Sequence, residues 1–174
     1  MPGEFYSTNK DEMLITVLGS CIAACIYDKK TGIGGMNHFM LPHSEQGKWA
    51  GGSLATRYGN FAMEHLINEL LKNGALKKNL KAKVYGGSDL INSKSLSIGK
   101  DNIKFIHEYL KLEGIPILEE DLGGNCSRKI YFTPMDGETS VKRIELKNDT
   151  ILEREERYEE ELSKNDIDND VELF

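Results

Sequence analysis

Two short strand-like segments, Ile22 to Tyr27 and Ile33 to Asn37, flank the polar stretch Asp28-Lys29-Lys30-Thr31-Gly32. Gly32 can take the positive φ that a tight connection needs, so the two arms are expected to fold back on one another as a β-hairpin. A further apolar run, Met13-Leu14-Ile15-Thr16-Val17, precedes the hairpin and is interrupted by Leu18-Gly19-Ser20. A break at Gly19 takes the neighbouring backbone N–H groups out of any strand ladder.

Two reactive residues stand at the open end of that hairpin. Cys21 follows the break and His38 follows the second arm, so seventeen positions of sequence become a cross-strand neighbourhood. A thiol is only slightly ionised near neutral pH, and an adjacent imidazole raises the thiolate fraction. The N–H groups freed around Cys21 can receive a developing oxyanion. Taken singly, a free cysteine is usually core and a lone histidine usually structural. Together at this spacing they read as nucleophile and base.

Further motifs follow in order: Gly35-Met36-Asn37-His38-Phe39-Met40-Leu41-Pro42, Gly86-Gly87, Ile98-Gly99 with Asn102, and Leu122-Gly123-Gly124 with Arg128 and Lys129. With Leu18-Gly19-Ser20-Cys21, this series resembles the CheD family of chemoreceptor glutamine deamidases, over about Met13 to Leu146. The resemblance implies hydrolysis of selected glutamine side chains on methyl-accepting chemotaxis receptors, with Cys21 as nucleophile, His38 as its partner and no metal or organic cofactor. It also implies an α/β fold, a β-sandwich-like core of mixed sheets flanked by helices, as in other cysteine deamidases. The family partners a CheC-type phosphatase, so a non-catalytic adaptor binding receptors or such a phosphatase is the alternative reading. Retention of both Cys21 and His38 favours the enzyme.

A third group normally orients the base. In the family it is a threonine on the strand before the nucleophile, commonly six positions ahead, where this chain has Ile15. Thr16 lies one residue nearer and is assigned the role, which along one continuous strand would require a bulge to restore the register. Ser20 is the alternative, or it caps backbone N–H groups beside the turn.

The remaining candidates are assigned no chemistry. Cys25 shares strand parity with Cys21 but lies roughly 13 Å along the extended chain, which makes it core. Cys126 sits in a glycine-containing turn. No Cys-x-x-Cys spacing supports a zinc site built from Cys21, Cys25, Cys126 and His38. His43, His65 and His107 receive no role. The glycine pairs at 34–35, 51–52, 86–87 and 123–124 lack the Lys-Ser or Lys-Thr of a phosphate loop and read as turns or close approaches; for 86–87 and 123–124 the resemblance to CheD implies, besides, room for a receptor helix near the thiol.

Elsewhere the pattern predicts a polar loop over 42–52 containing Trp49 and a helix from a Ser53 cap to Asn73. The buried face of that helix is expected to include Leu54, Tyr58, Phe61, Leu66 and Leu70. A strand over 81–85, a helix over 100–113 and strands over 115–119, 129–133 and 140–146 follow. The net charge of −6 is uneven: residues 151–174 carry ten acidic and three basic residues, leaving the rest close to neutral. Nothing forms a basic stripe for nucleic acid, and no apolar run reaches the length of a membrane span, so neither partner is expected. The N-terminus lacks a secretory pattern and three cysteines do not make a disulfide framework, which predicts a cytoplasmic protein. One deamidase domain is expected over 1–150, with 151–174 an acidic extension, helical in part and disordered at its end.

Overall fold

The computed structural model describes residues 3–41, 54–89, 95–144, 153–158 and 160. Within these residues eight strands and two long helices run in the order β1 (Phe5–Thr8), β2 (Leu14–Leu18), β3 (Ile22–Asp28), β4 (Ile33–Phe39), α1 (Leu54–Lys72), β5 (Lys81–Gly86), α2 (Ser95–Glu113), β6 (Ile117–Leu122), β7 (Ser127–Thr133) and β8 (Glu138–Ile144), with a 3₁₀ turn at Lys77–Asn79. Residues 153–158 form a further short helical stretch.

The hairpin expected around Asp28–Gly32 is present, and β3 pairs with β4 from Asp28↔Ile33 to Ile22↔Phe39. It lies inside a five-stranded mixed sheet ordered β1-β4-β3-β5-β6, while β2, β7 and β8 form a separate three-stranded sheet. Among the described strands only β5 and β6 run parallel, which requires a long crossover, supplied by α2.

Strand β3 is buried at every position because it is covered on both faces. Its even-numbered residues Ile22, Ala24 and Ile26 pack with Met63, Leu66 and Leu70 of α1 and Ile106 and Leu110 of α2. Its odd-numbered residues Ala23, Cys25 and Tyr27, together with Cys21, pack with Leu18, Ile130 and Phe132 of the smaller sheet. The result is an α/β fold in three layers, helices on mixed sheet on small sheet, so the sandwich lies between the sheets and the helices outside it.

Four expectations need correction. Helix α2 begins at Ser95, five residues ahead of the expected start at 100, so that its first turns include buried Ile98. Strand β1 was not anticipated, because an edge strand with Phe5 and Tyr6 exposed carries no inward apolar stripe. Phe61 is exposed rather than buried, since it stands about 160° around the helix axis from Met63, which takes the core position. Strand β6 begins at Ile117, two residues late, because Gly114 ends α2 with φ +67° and buried Ile115 serves as a core plug before Pro116. The Trp49 loop, the Ser53 cap, His43 and the chain end over 165–174 lie outside the described residues.

Candidate active site

Residues 19–21 carry the chain from the small sheet to the large one, and that crossing shapes the site. The backbone carbonyls of all three are tied down: Gly19 O accepts from Ser88 N at 2.8 Å, Cys21 O from Gly87 N at 2.8 Å, and Ser20 O from Asn102 Nδ2 at 2.8 Å. The N–H groups of the same three residues converge on one carboxylate, that of Glu155. Its Oε1 accepts from Gly19 N at 2.9 Å and Cys21 N at 3.4 Å, and its Oε2 from Ser20 N at 2.8 Å and Ser20 Oγ at 2.7 Å. Successive N–H groups aimed at one point form an anion-binding nest, and carbonyls fixed by other partners pre-organise it.

The glycine motifs build the floor of this nest. Gly86 has φ +111°, and a Cβ there would lie 2.0 Å from the Cys21 carbonyl oxygen, so a side chain would displace the turn outright. Gly99 lets α2 close on the loop, since its Cβ would meet the Gly87 carbonyl oxygen at 2.7 Å. Fully buried Asn102 links the turn to the end of the hairpin, with Oδ1 accepting from Leu41 N at 2.9 Å. Behind Ser88, Arg128 bonds Ser88 Oγ at 2.5 Å, Gly123 O at 2.7 Å and Asp121 at 2.8 Å, while Gly123 N donates to Gly86 O at 2.8 Å. Burial alone would raise the Asp121 carboxyl, but Arg128 and Arg143 hold it below the ordinary carboxylate range. Gly86-Gly87 and Gly123-Gly124 thus brace the turn.

His38 stands on β4 opposite Ala23, on the face of the sheet that Cys21 also faces, and is buried. Its Nδ1 lies 2.9 Å from Thr16 Oγ1, a contact made across the gap between the two sheets. Its Nε2 is buried without a hydrogen-bond partner among the described residues. Burial first, then nearby positive charge including Arg154, pushes the imidazole pKa down to about 3. A groove of about 490 Å³, lined in part by Phe5, Tyr6, Met13 and Ile15, runs beside His38 and Thr16.

Thr16 needs no bulge to reach the histidine. Counting parity from Thr16 to Cys21 assumes one continuous strand, whereas β2 and β3 belong to different sheets and the 19–21 turn resets the register between them. Within β2, Thr16 pairs with Ile130 and turns inward while Ile15 is half exposed.

Cys21 departs from expectation in one respect. A residue read as the nucleophile has to be reached by substrate, yet Cys21 is 0 % exposed. Burial, then the charge of Glu155 and a hydrogen bond to its carboxylate, push the thiol pKa well above its ordinary value. Cys25 is core, its thiol pushed up by burial, and Cys126 is half-buried in the 123–126 turn. Among the described residues no group of three or more His, Cys, Asp or Glu side chains is arranged to hold a metal. Glu155 was missed because a glutamate in an acidic run carries no local signal of a tertiary partner more than 130 residues away.

Known proteins resemble this chain in sequence along its whole length. The family model described as CheD chemotactic sensory transduction matches residues 40–143. A protein of Hahella chejuensis named "Probable chemoreceptor glutamine deamidase CheD" is 48% identical over all of this chain and 83% of its own length. Proteins of the same name from Herminiimonas arsenicoxydans and Methylobacillus flagellatus are 47% and 46% identical, each over all of this chain and 87% of the relative. Thr16, Cys21 and His38 precede the span of the family model but lie within the alignments to these relatives.

Proposed function

The chain belongs to the CheD family, and from that premise we propose that it is a protein glutamine deamidase that converts glutamine side chains of methyl-accepting chemotaxis receptors to glutamate, with release of ammonia. The observation that carries this reading is the nest at residues 19–21: three N–H donors on the nucleophile's own turn hold the carboxylate of a glutamyl side chain. A glutamyl carboxylate is the product group of glutamine deamidation.

In the reaction, His38 Nδ1 carries its proton toward Thr16 Oγ1, which leaves the Nε2 lone pair as the base. Nε2 takes the thiol proton and Cys21 Sγ attacks the carboxamide carbon. The carbonyl oxygen becomes an oxyanion held by the N–H groups of Gly19, Ser20 and Cys21. Collapse breaks the C–N bond, and the imidazolium gives its proton to the departing ammonia. The same imidazole then deprotonates a water that hydrolyses the thioester, and the thiolate leaves and is reprotonated. A neutral imidazole suits the first step, since only the unprotonated ring can accept the thiol proton.

Residues 1–150 are read as the deamidase body and 151–174 as an extension to it, with a CheC-type phosphatase as a second partner. The setting is the cytoplasm, where unpaired cysteines stay reduced. Among the described residues no helix is long and apolar enough to cross a membrane.

The test is incubation with receptor cytoplasmic fragments, following the gain of about 1 Da that replaces an amide by an acid. Cys21→Ala should abolish the shift while Cys25→Ala and Cys126→Ala keep most of it. Residual turnover above about a tenth of wild type in Cys21→Ala would identify another nucleophile. Binding of receptor without any mass shift would identify an adaptor.

A further inference from the structure

The group occupying the nest belongs to the chain itself. Residues 153–158 are helical, and they are anchored over the site at two points. Glu155 meets four donors of the 19–21 turn, and Tyr158 packs against the cluster that includes Cys21 and hydrogen-bonds Tyr58 through its hydroxyl.

The contact has the stereochemistry of a product complex. A side chain of glutamine length, borne on a helix, enters the turn and places its terminal carbon where the nucleophile's own N–H and its neighbours point. Three N–H donors and one hydroxyl favour a carboxylate over a carboxamide, because the amide nitrogen of glutamine cannot accept from Ser20 N. We propose that the helical stretch 153–158 is a resident product mimic: Glu155 fills, in cis, the subsite that receives the glutamyl group, and the chain stays closed until a substrate helix displaces it. This rests on the deamidase reading for its mechanism, but the closure itself concerns only Cys21 and Glu155. It accounts for a thiol buried beside a carboxylate that holds the Cys21 N–H, and for a buried His38 Nε2 with no hydrogen-bond partner among the described residues.

The experiment compares full-length wild type with Glu155→Ala, Tyr158→Ala and, as an exposed control on the same stretch, Glu156→Ala. The rate of Cys21 alkylation by iodoacetamide is read by peptide mass, and turnover on receptor fragments is measured in parallel. Both Glu155→Ala and Tyr158→Ala should raise Cys21 alkylation by about tenfold or more, since removing an adjacent carboxylate and its cover lowers the thiol pKa and opens it. Receptor turnover should rise several-fold with it, and Glu156→Ala should change neither. Unchanged alkylation in both variants, with wild-type melting, overturns the closure and leaves the deamidase reading standing. Faster alkylation with no receptor turnover by any form supports the closure and removes the deamidase reading.

A fourth variant supplies a direct readout. Glu155→Gln places a carboxamide in the nest, and the enzyme should hydrolyse it, breaking the amide C–N bond, adding the oxygen of one water and releasing ammonia. The chain should gain about 1 Da at a rate independent of protein concentration, and not gain it when Cys21→Ala is added. Conversion that scales with protein concentration, or none in a protein that does turn over receptor fragments, overturns occupancy in cis.

Discussion

At pH 7 the His38 imidazole is neutral, and its depressed pKa couples the site to stability. The folded-state value of about 3 lies below the ordinary value of 6.5, so between those limits the unfolded chain binds a proton that the folded chain does not. The contribution is fully present above pH 6.5 and is lost as pH falls through that window, at up to about 1.4 kcal/mol per pH unit. Urea melts of wild type against His38→Gln should show a steeper acid loss in the wild type; parallel curves would place a charged imidazole in the folded state. Thr16 is argued to position that ring. Thr16→Val should lower kcat by about 10²-fold while Thr16→Ser restores most of it, because only the hydroxyl is needed at Nδ1. Equal loss in both would assign Thr16 to packing. The hairpin that sets Cys21 and His38 on one face of the sheet was legible because a hairpin is local and its turn residues announce it. Thr16 was legible only through the family resemblance, since its contact crosses between sheets and strand parity does not survive the crossing.

Among the elements, the turn at 19–21 depends on the loop at 86–88 and on α2 more than on its own sequence. Asn102 is the test. Replacing it by Ala strands the Leu41 N–H and the Ser20 carbonyl, two buried groups at about 1–3 kcal/mol each. For a chain of this size that predicts a melting point lower by roughly 5–15 °C. Activity should also fall, measured well below the new melting point, as the nest loses a tether; full activity there would mean that Asn102 serves stability alone. The sequence marked Gly86-Gly87, Gly99 and Asn102 as a series, yet their shared purpose was hidden. Each meets a backbone group far away in the chain, and periodicity reports only what a residue does within its own element. The helices and strands β7 and β8 were legible from periodic burial, and β3 and β4 from a turn sequence between two strand-like arms, whereas β1 is an edge strand without either signal.

On the scale of the whole molecule, charge composition described the chain end only in part. Ten acidic residues against three basic ones predict a solvating extension. Within it, Glu155 and Tyr158 nevertheless contact the site. Beyond Lys164 the run is acidic and poor in apolar residues, so a chain ending there should keep its melting temperature and its rate on receptor fragments at low and high salt. A several-fold change in rate would make the final residues a regulatory element.

The tethering of the 19–21 carbonyls by Gly87, Ser88 and Asn102 also has a consequence in time. During synthesis, Cys21 and His38 leave the ribosome early, but the groups that aim the turn's N–H donors are made only some fifty to eighty residues later, and the Arg128 that braces Ser88 later still. A nascent chain therefore displays an ordinary thiol beside an ordinary imidazole. The residues that engage the finished turn through Glu155 are translated after all of these, so the order of synthesis runs from reagent to catalyst to closed catalyst.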